Sequence, residues 1–230
     1  MLLSTVLDNG IHLSASTETA KGVFIPFATL KAVRAEQVAS AEPPEVLKVV
    51  TDPKDGLAFG EGFHTDLTYR KTPPSVGCFI VREPSPHGTG DTKFLSMVEA
   101  WGTLPPEVQR RVQHMWAVHS DLAGREAIHP VARKLDGGKT ALFVNGHFTR
   151  SIVGGDVVDD LHNRSSDSDG GLLTELLSHI NEMEPMRMSW EQSDLVLWDE
   201  AATQHAAVHD YYGHRRELHR VLVSGSSPPK

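Results

Sequence analysis

Short apolar runs, each bounded by Gly, Pro, Asn, Asp or Ser, recur along most of the chain. They are "SVGCFIVRE" (75–83), "WAVHSDL" (116–122), "TALFVN" (140–145), "DLVLWD" (194–199) and "LHRVLVS" (218–224). Runs of this length, rich in branched and aromatic residues and separated by turn residues, are typical of the strands of a sandwich or barrel. The pattern therefore predicts a mainly β fold.

Helical patterns are fewer. "SMVEAWG" (96–102) places Ser96 and Glu99 at the spacing of a capping box, "PPEVQRRVQHM" (105–115) begins on prolines, and "GGLLTELLSHINEM" (170–183) repeats its apolar residues every three to four positions. These three segments are predicted to be helices that flank the β core. The first forty residues have weak periodicity and predict no element.

The chain has 230 residues, of which 39% are hydrophobic, and this suits one large domain over 1–230. The polar stretch "NRSSDSDGG" (163–171) is predicted to be a loop or a disordered insertion, and the tail from about 225 is predicted to be flexible. Cys78 is the one cysteine, so no disulfide can form within the chain, and its apolar neighbours predict a buried thiol.

The formal net charge is −8, and no run of Lys and Arg suggests a phosphate-binding surface. We therefore expect no nucleic-acid partner. The N-terminus lacks a basic region followed by an apolar core, and no apolar stretch approaches the length of a membrane span. These features predict a cytoplasmic protein without a membrane partner, and they leave a homo-oligomer open.

The stretch "GFHTDLTYRKTPP" (62–74) reads as a strand that carries His64 and Asp66 two residues apart. Alternate residues of a strand point to the same face, so both side chains are predicted to reach one ion. The pair alone is a weak indication of a metal site. Polar residues on one strand face more often hydrogen-bond to each other.

The segment "TQHAAVHDYYGHRRELHR" (203–220) contains a third histidine, His205, and two arginines, Arg216 and Arg220. A separation of four residues places the arginines on one strand face, where a buried guanidinium needs an anion. The alternative is a solvated strand edge on which the arginines pair with Asp210 and Glu217.

Two histidines and one carboxylate form the triad that leaves open positions on Fe(II) in non-haem oxygenases. At these residues the sequence resembles the TauD/TfdA family of Fe(II)- and 2-oxoglutarate-dependent dioxygenases, from about residue 27 to residue 224. The resemblance is carried by "FHTDLTYRKTPP", "GTGDTKF", "HPVARKLDGGKTALFVNGHFT", "DLVLWD" and "TQHAAVHDYYGHRRELHR".

The resemblance implies a double-stranded β-helix, a cupin-like jelly-roll barrel with the metal at its open mouth. It implies that His64, Asp66 and His205 are the catalytic Fe(II) ligands. It further implies that Arg216 binds the distal carboxylate of the co-substrate 2-oxoglutarate and that the Thr92 hydroxyl assists it.

The same resemblance implies that Arg220 and Phe148 contact the prime substrate. The expected reaction hydroxylates a small, anionic organic molecule with O2 and releases succinate and CO2. Three departures from the family pattern stand out. An opening part of the family fold is expected to be reduced or missing at the N-terminus, and no histidine closely follows "FATL" (27–30), where taurine-type members place a substrate-binding one. Glu200 and Ala201 replace the usual Asn and frequent Arg.

Two other functions are compatible with the residues alone. Two histidines and an acid also describe a zinc hydrolase, which would leave Thr92 and Arg216 without a role. A non-catalytic jelly-roll binding protein is the second alternative, and the intact triad argues against it.

Overall fold

The computed structural model describes residues 5–6, 12–13, 46–52, 60–154 and 170–230. These parts of the chain are mainly β, as predicted. The strands are β1 (Thr5–Val6), β2 (His12–Leu13), β3 (Leu47–Thr51), β4 (Val76–Glu83), β5 (Thr92–Ser96), β6 (Trp116–Ser120), β7 (Glu126–Pro130), β8 (Ala132–Lys134), β9 (Thr140–Leu142), β10 (Thr149–Val153), β11 (Met186–Met188), β12 (Leu195–Asp199), β13 (Thr203–Ala207) and β14 (Arg216–Val223). Each predicted apolar run overlaps one of them.

The three predicted helices are present as α1 (Met97–Thr103), α2 (Pro106–Val112) and α3 (Gly170–Glu182). Ser96 caps α1, because its hydroxyl oxygen accepts the backbone N–H of Glu99 at 3.2 Å. Proline at the start of α2 suits a position whose N–H has no partner within the helix.

Two antiparallel sheets position the candidate site. One has the strand order β12-β4-β14-β3, and the other has the order β11-β5-β13. A buried apolar cluster joins them, with Phe79, Trp198 and Leu218 from the first sheet and Phe94 and Met188 from the second. The two sheets that carry His205 and the two arginines thus share one core.

A second apolar core lies beside the three helices. Its members come mainly from α1, α2 and α3 and from strands β5, β6, β9 and β10. In the three-stranded sheet β10-β6-β7, each strand pairs antiparallel with its neighbour. This core supports the segment after β9 that enters the candidate site.

The prediction that 62–74 forms a strand is wrong. His64 makes an isolated antiparallel bridge with His205, and the chain then turns at Asp66. Leu67 has a φ of 52°, a left-handed conformation that a branched side chain rarely adopts. The segment does not continue as a strand, because the chain turns directly after the bridge.

Smaller predictions concern the loop 163–171, the C-terminal tail, Cys78 and membrane spans. Most of the predicted loop 163–171 lies outside the described residues, and its last two residues begin α3. Residues 224–230 form no helix or strand, and the Lys230 carbonyl accepts the Lys134 N–H at 2.6 Å. Cys78 is half-buried rather than fully buried. Within the described ranges, no helix is long and apolar enough to cross a membrane.

Candidate metal centre and adjoining cation pair

The centre is built on the bridge between His64 and His205. Each of these residues donates its backbone N–H to the carbonyl of the other, at 3.0 and 2.9 Å. Their ring centroids lie 4.4 Å apart. Asp66 completes the group, since one potential ligand atom from each of the three residues lies within 4.8 Å of the others. The two sequence-distant histidines and the carboxylate therefore meet.

Both histidines are suited to bind a cation through a neutral ring nitrogen. The Nδ1 of His64 lies 3.1 Å from the Gly62 carbonyl, to which only an N–H can donate, and this leaves Nε2 with a lone pair 3.8 Å from Asp66 Oδ1. Burial lowers the pKa of His205 to about 3. Its buried Nδ1 has no hydrogen-bond partner among the described residues.

Asp66 is held ionised by an arginine. Nη1 of Arg220 lies 2.9 Å from each of its carboxylate oxygens. Burial alone would raise the pKa of Asp66, but the charge of Arg220 and its hydrogen bonds to the carboxylate act in the opposite direction, and the pKa is lowered. Arg220, expected at the prime substrate, thus contacts the carboxylate of the triad.

A second carboxyl group lies behind Asp66. Glu200 is fully buried, and its Oε2 accepts the backbone N–H of Asp66 at 3.1 Å. Its Oε1 accepts the indole N–H of Trp198 at 2.9 Å. Burial, together with the charge of Asp66, raises the pKa of Glu200 well above its ordinary value.

Arg216 is a buried cation with unused donors. The residue is 4% exposed, and its Nε and Nη2 have no hydrogen-bond partner in the described part of the chain. The Tyr211 ring lies 5.6 Å from its guanidinium carbon. Burial lowers the pKa of Arg216, although Tyr211 partly offsets this. A guanidinium in this state fits an anionic ligand.

Thr92 begins β5 and is buried, and its hydroxyl oxygen accepts the indole N–H of Trp190 at 3.1 Å. Phe94 of β5 pairs with His205 of β13, and Thr92 pairs with Ala207. Thr92 therefore lies two residues along β5 from the partner of His205. Phe148 is half-buried, and its ring centroid lies 5.3 Å from that of Tyr69.

His147 lies next to the centre, and sequence reasoning did not single it out. Its ring centroid lies 4.5 Å from that of His64, and it also lines a cavity of about 220 Å³ with Phe63, Ile180 and Gln204. One histidine among thirteen carries little information by itself. Its position next to Phe148 in "NGHFT" was the available indication.

The segment that carries His147 is tied to the segment that carries Asp66. The side-chain oxygen of Asn145 accepts the backbone N–H groups of His147 and Phe148, and its amide donates to the Thr68 hydroxyl at 3.2 Å. Each residue of this connection lies within four positions of His64, Asp66 or His147 along the chain. The buried network therefore fixes the two segments relative to each other.

Comparisons with known proteins agree with this geometry. Residues 27–222 match the family model described as taurine catabolism dioxygenase TauD, TfdA family. The chain is 30% identical over 220 residues to "Alpha-ketoglutarate-dependent dioxygenase cnsM" of Penicillium expansum, covering 80% of this chain and 57% of that protein. It is 31% identical over 193 residues to "Alpha-ketoglutarate-dependent sulfate ester dioxygenase" of Pseudomonas putida, covering 72% and 60%.

Among solved structures, a taurine dioxygenase from Burkholderia xenovorans superposes with a TM-score of 0.68 at 26% identity, covering 83% of this chain and 68% of that one. The chain thus spans under two thirds of the length of the two curated relatives, 57% and 60%.

Proposed function

This chain belongs to the TauD/TfdA family, and from that premise we propose that it is an Fe(II)- and 2-oxoglutarate-dependent dioxygenase. The observation that carries the proposal is a buried group of two histidines and a carboxylate next to a buried arginine that has unused donors. Such a triad suits Fe(II) with open positions, and the arginine suits a second, anionic ligand. The proposed architecture is the double-stranded β-helix, which the two stacked antiparallel sheets support.

The residues fit the metal. His64, Asp66 and His205 would hold Fe(II), with the Gly62 carbonyl fixing the His64 ring and Arg220 orienting the carboxylate. An unpartnered nitrogen on the buried His205 ring is costly unless something binds it. Phe79, Phe94 and Trp198 surround that ring and keep bulk water away.

Arg216 and Thr92 would bind 2-oxoglutarate. The buried guanidinium offers Nε and Nη2, which can grip one carboxylate with two parallel hydrogen bonds. The Thr92 hydroxyl uses its oxygen for Trp190 and keeps its proton to donate. These residues orient a co-substrate whose oxidation, at bound Fe(II) with O2, gives succinate and CO2 and hydroxylates a substrate C–H bond.

The prime substrate is proposed to be a small organic anion. Nη1 of Arg220 donates to Asp66, whereas its buried Nε has no hydrogen-bond partner in the described ranges. A remaining donor of that guanidinium would meet the acidic group of the substrate, and Phe148 would line its apolar part. The names of the relatives, a sulfate ester dioxygenase and a taurine dioxygenase, support an oxyanion at this position.

Succinate formation tests the proposal. Purified protein incubated in air with 2-oxoglutarate and Fe(II) is expected to release succinate, and a screen of carboxylates, sulfonates and sulfate esters is expected to raise that rate. Zn(II) in place of Fe(II) should give none. Asp66→Ala should abolish turnover while circular dichroism shows the fold retained. Wild-type turnover in Asp66→Ala, or hydrolysis supported by Zn(II), would contradict the proposal.

A further inference from the structure

Glu200 occupies an unusual position, fully buried against the backbone of a triad residue. We propose that Glu200 is a positioning residue that sets the orientation of Asp66 toward the bound metal, by receiving the Asp66 backbone N–H on one carboxyl oxygen and the Trp198 indole N–H on the other. The inference rests on the proposed function, because it assigns Glu200 a role in that same centre.

Two donors converge on the two oxygens of one side chain. The distances are 3.1 Å from the Asp66 nitrogen and 2.9 Å from the Trp198 indole nitrogen. A carboxyl group can accept at both oxygens. A side-chain amide of the same size accepts at one atom and presents an NH2 group at the other, so it would place a donor against a donor.

The surroundings leave Glu200 no other arrangement. It is 0% exposed, and a β-carbon built on Gly77 would lie 2.6 Å from its Oε1 and 2.2 Å from the Trp198 ring. The missing side chain at Gly77 therefore makes the space in which Trp198 and Glu200 meet. Without Glu200, the Asp66 N–H would be buried with no acceptor.

Asp66 needs this support because its segment is not a strand. His64 is fixed by two backbone hydrogen bonds to His205, but the chain turns immediately afterwards and Leu67 adopts a φ of 52°. Asp66 lies between His64 and Leu67. Glu200 accepts its backbone N–H, and Arg220 donates to its carboxylate. Loss of the backbone contact should let the carboxylate swing away from the two histidines.

The test uses Mn(II) binding by calorimetry without air, a readout that needs no turnover. Glu200→Gln is expected to weaken Mn(II) affinity at least tenfold, the effect typical of groups that orient a ligand. Trp198→Phe removes the indole N–H. In a protein that carries both substitutions, the glutamine side chain can therefore turn its oxygen toward the Asp66 N–H. The double variant W198F/E200Q should therefore bind Mn(II) nearly as tightly as W198F alone, which is a positive coupling.

Glu99→Gln is the matched control, because that side chain is exposed on α1, and it should bind Mn(II) like wild type. An unchanged affinity in E200Q would overturn the inference. If E200Q does not fold, a W198F/E200Q affinity far below that of W198F would overturn it equally. If wild type and Asp66→Ala bind Mn(II) alike, the triad assignment fails, and with it the proposed function.

Discussion

At the residue scale, Arg215, just before β14, and Arg216, its first residue, have opposite surroundings. Arg216 is buried with two nitrogens unpartnered among the described residues, whereas Arg215 is partly exposed and pairs with Glu83 and Glu217. Surface pairs of this second kind contribute little, because solvent screens them. The contrast supports the proposed anion-binding role of Arg216 and makes Arg215 its natural control.

Arg216→Ala is expected to weaken 2-oxoglutarate binding by on the order of 2 to 5 kcal/mol, since a buried carboxylate loses its charged partner. Arg216→Lys should recover only part, because an ammonium cannot bind a carboxylate through two parallel donors. Arg215→Ala should change the affinity little. Titration of 2-oxoglutarate into the metal-loaded proteins measures this, and equal affinities in Arg216→Ala and wild type would place the arginine outside the site.

Arg220→Ala is expected to reduce affinity for an anionic prime substrate strongly and to reduce substrate-free decarboxylation of 2-oxoglutarate to a smaller extent, although Asp66 loses the guanidinium from its carboxylate. The reason is that Asp66 keeps its backbone contact with Glu200 when the arginine is removed. Substrate-dependent and substrate-free succinate release, measured on the same preparation, separate the two effects. A neutral molecule as the best substrate, or equal damage to both rates, would show that Arg220 serves only the triad.

At the element scale, close contact between β4 and β12 determines where Glu200 lies. Gly77 pairs with Trp198, and the indole occupies the space above the glycine. Gly77→Ala should lower the free energy of unfolding by roughly 1 to 3 kcal/mol, as an overpacked core residue does. Gly102 in α1 has nothing within 4 Å of a built β-carbon, so Gly102→Ala should be neutral or stabilising. Denaturant unfolding of both variants gives the comparison, and equal effects would contradict it.

The elements themselves were largely predictable. Strand and helix periodicity located the five apolar runs and the three helices, and capping chemistry located the start of α1 at Ser96. The turn at Asp66 was not predictable, because the pairing of His64 with His205 joins residues 141 positions apart by backbone hydrogen bonds that leave no local pattern.

The site was predictable only as a set of residues. The i, i+2 spacing of His64 and Asp66 brings them together, but through a bridge and a turn rather than a strand face. The contacts of Arg220 with Asp66 and of Glu200 with the Asp66 backbone depend on how two sheets pack. Single-sequence reasoning has no access to that packing.

At the scale of the whole molecule, buried histidines connect the site to the sheet β10-β6-β7. His129 donates from Nε2 to the Thr68 carbonyl at 2.7 Å, next to His119, whose Nδ1 lies 2.9 Å from the Thr68 hydroxyl. Burial lowers the pKa of His129 to about 4 and that of His119 well below its ordinary value. Protonation of either histidine therefore lowers the stability of the folded state.

Stability should consequently fall in mild acid. A histidine whose folded-state pKa is depressed contributes stability above its unfolded pKa of 6.5, and this is lost as pH falls toward 4. His129→Gln should reduce the pH 7 to pH 4 change in unfolding free energy by roughly 3 kcal/mol. Exposed His87→Gln should not. Denaturant unfolding at several pH values gives this slope, and parallel slopes in His129→Gln and wild type would contradict the assignment.

The triad and Arg216 are proposed to form one site, in which metal and 2-oxoglutarate are bound together. Calorimetric titration of 2-oxoglutarate into the protein, without air, with and without Fe(II), tests it most directly. Tight binding is expected with Fe(II), and much weaker binding without it. Fe(II) affinity should rise by the same factor when 2-oxoglutarate is present, because the coupling must be reciprocal. The same 2-oxoglutarate affinity with and without Fe(II) would contradict it.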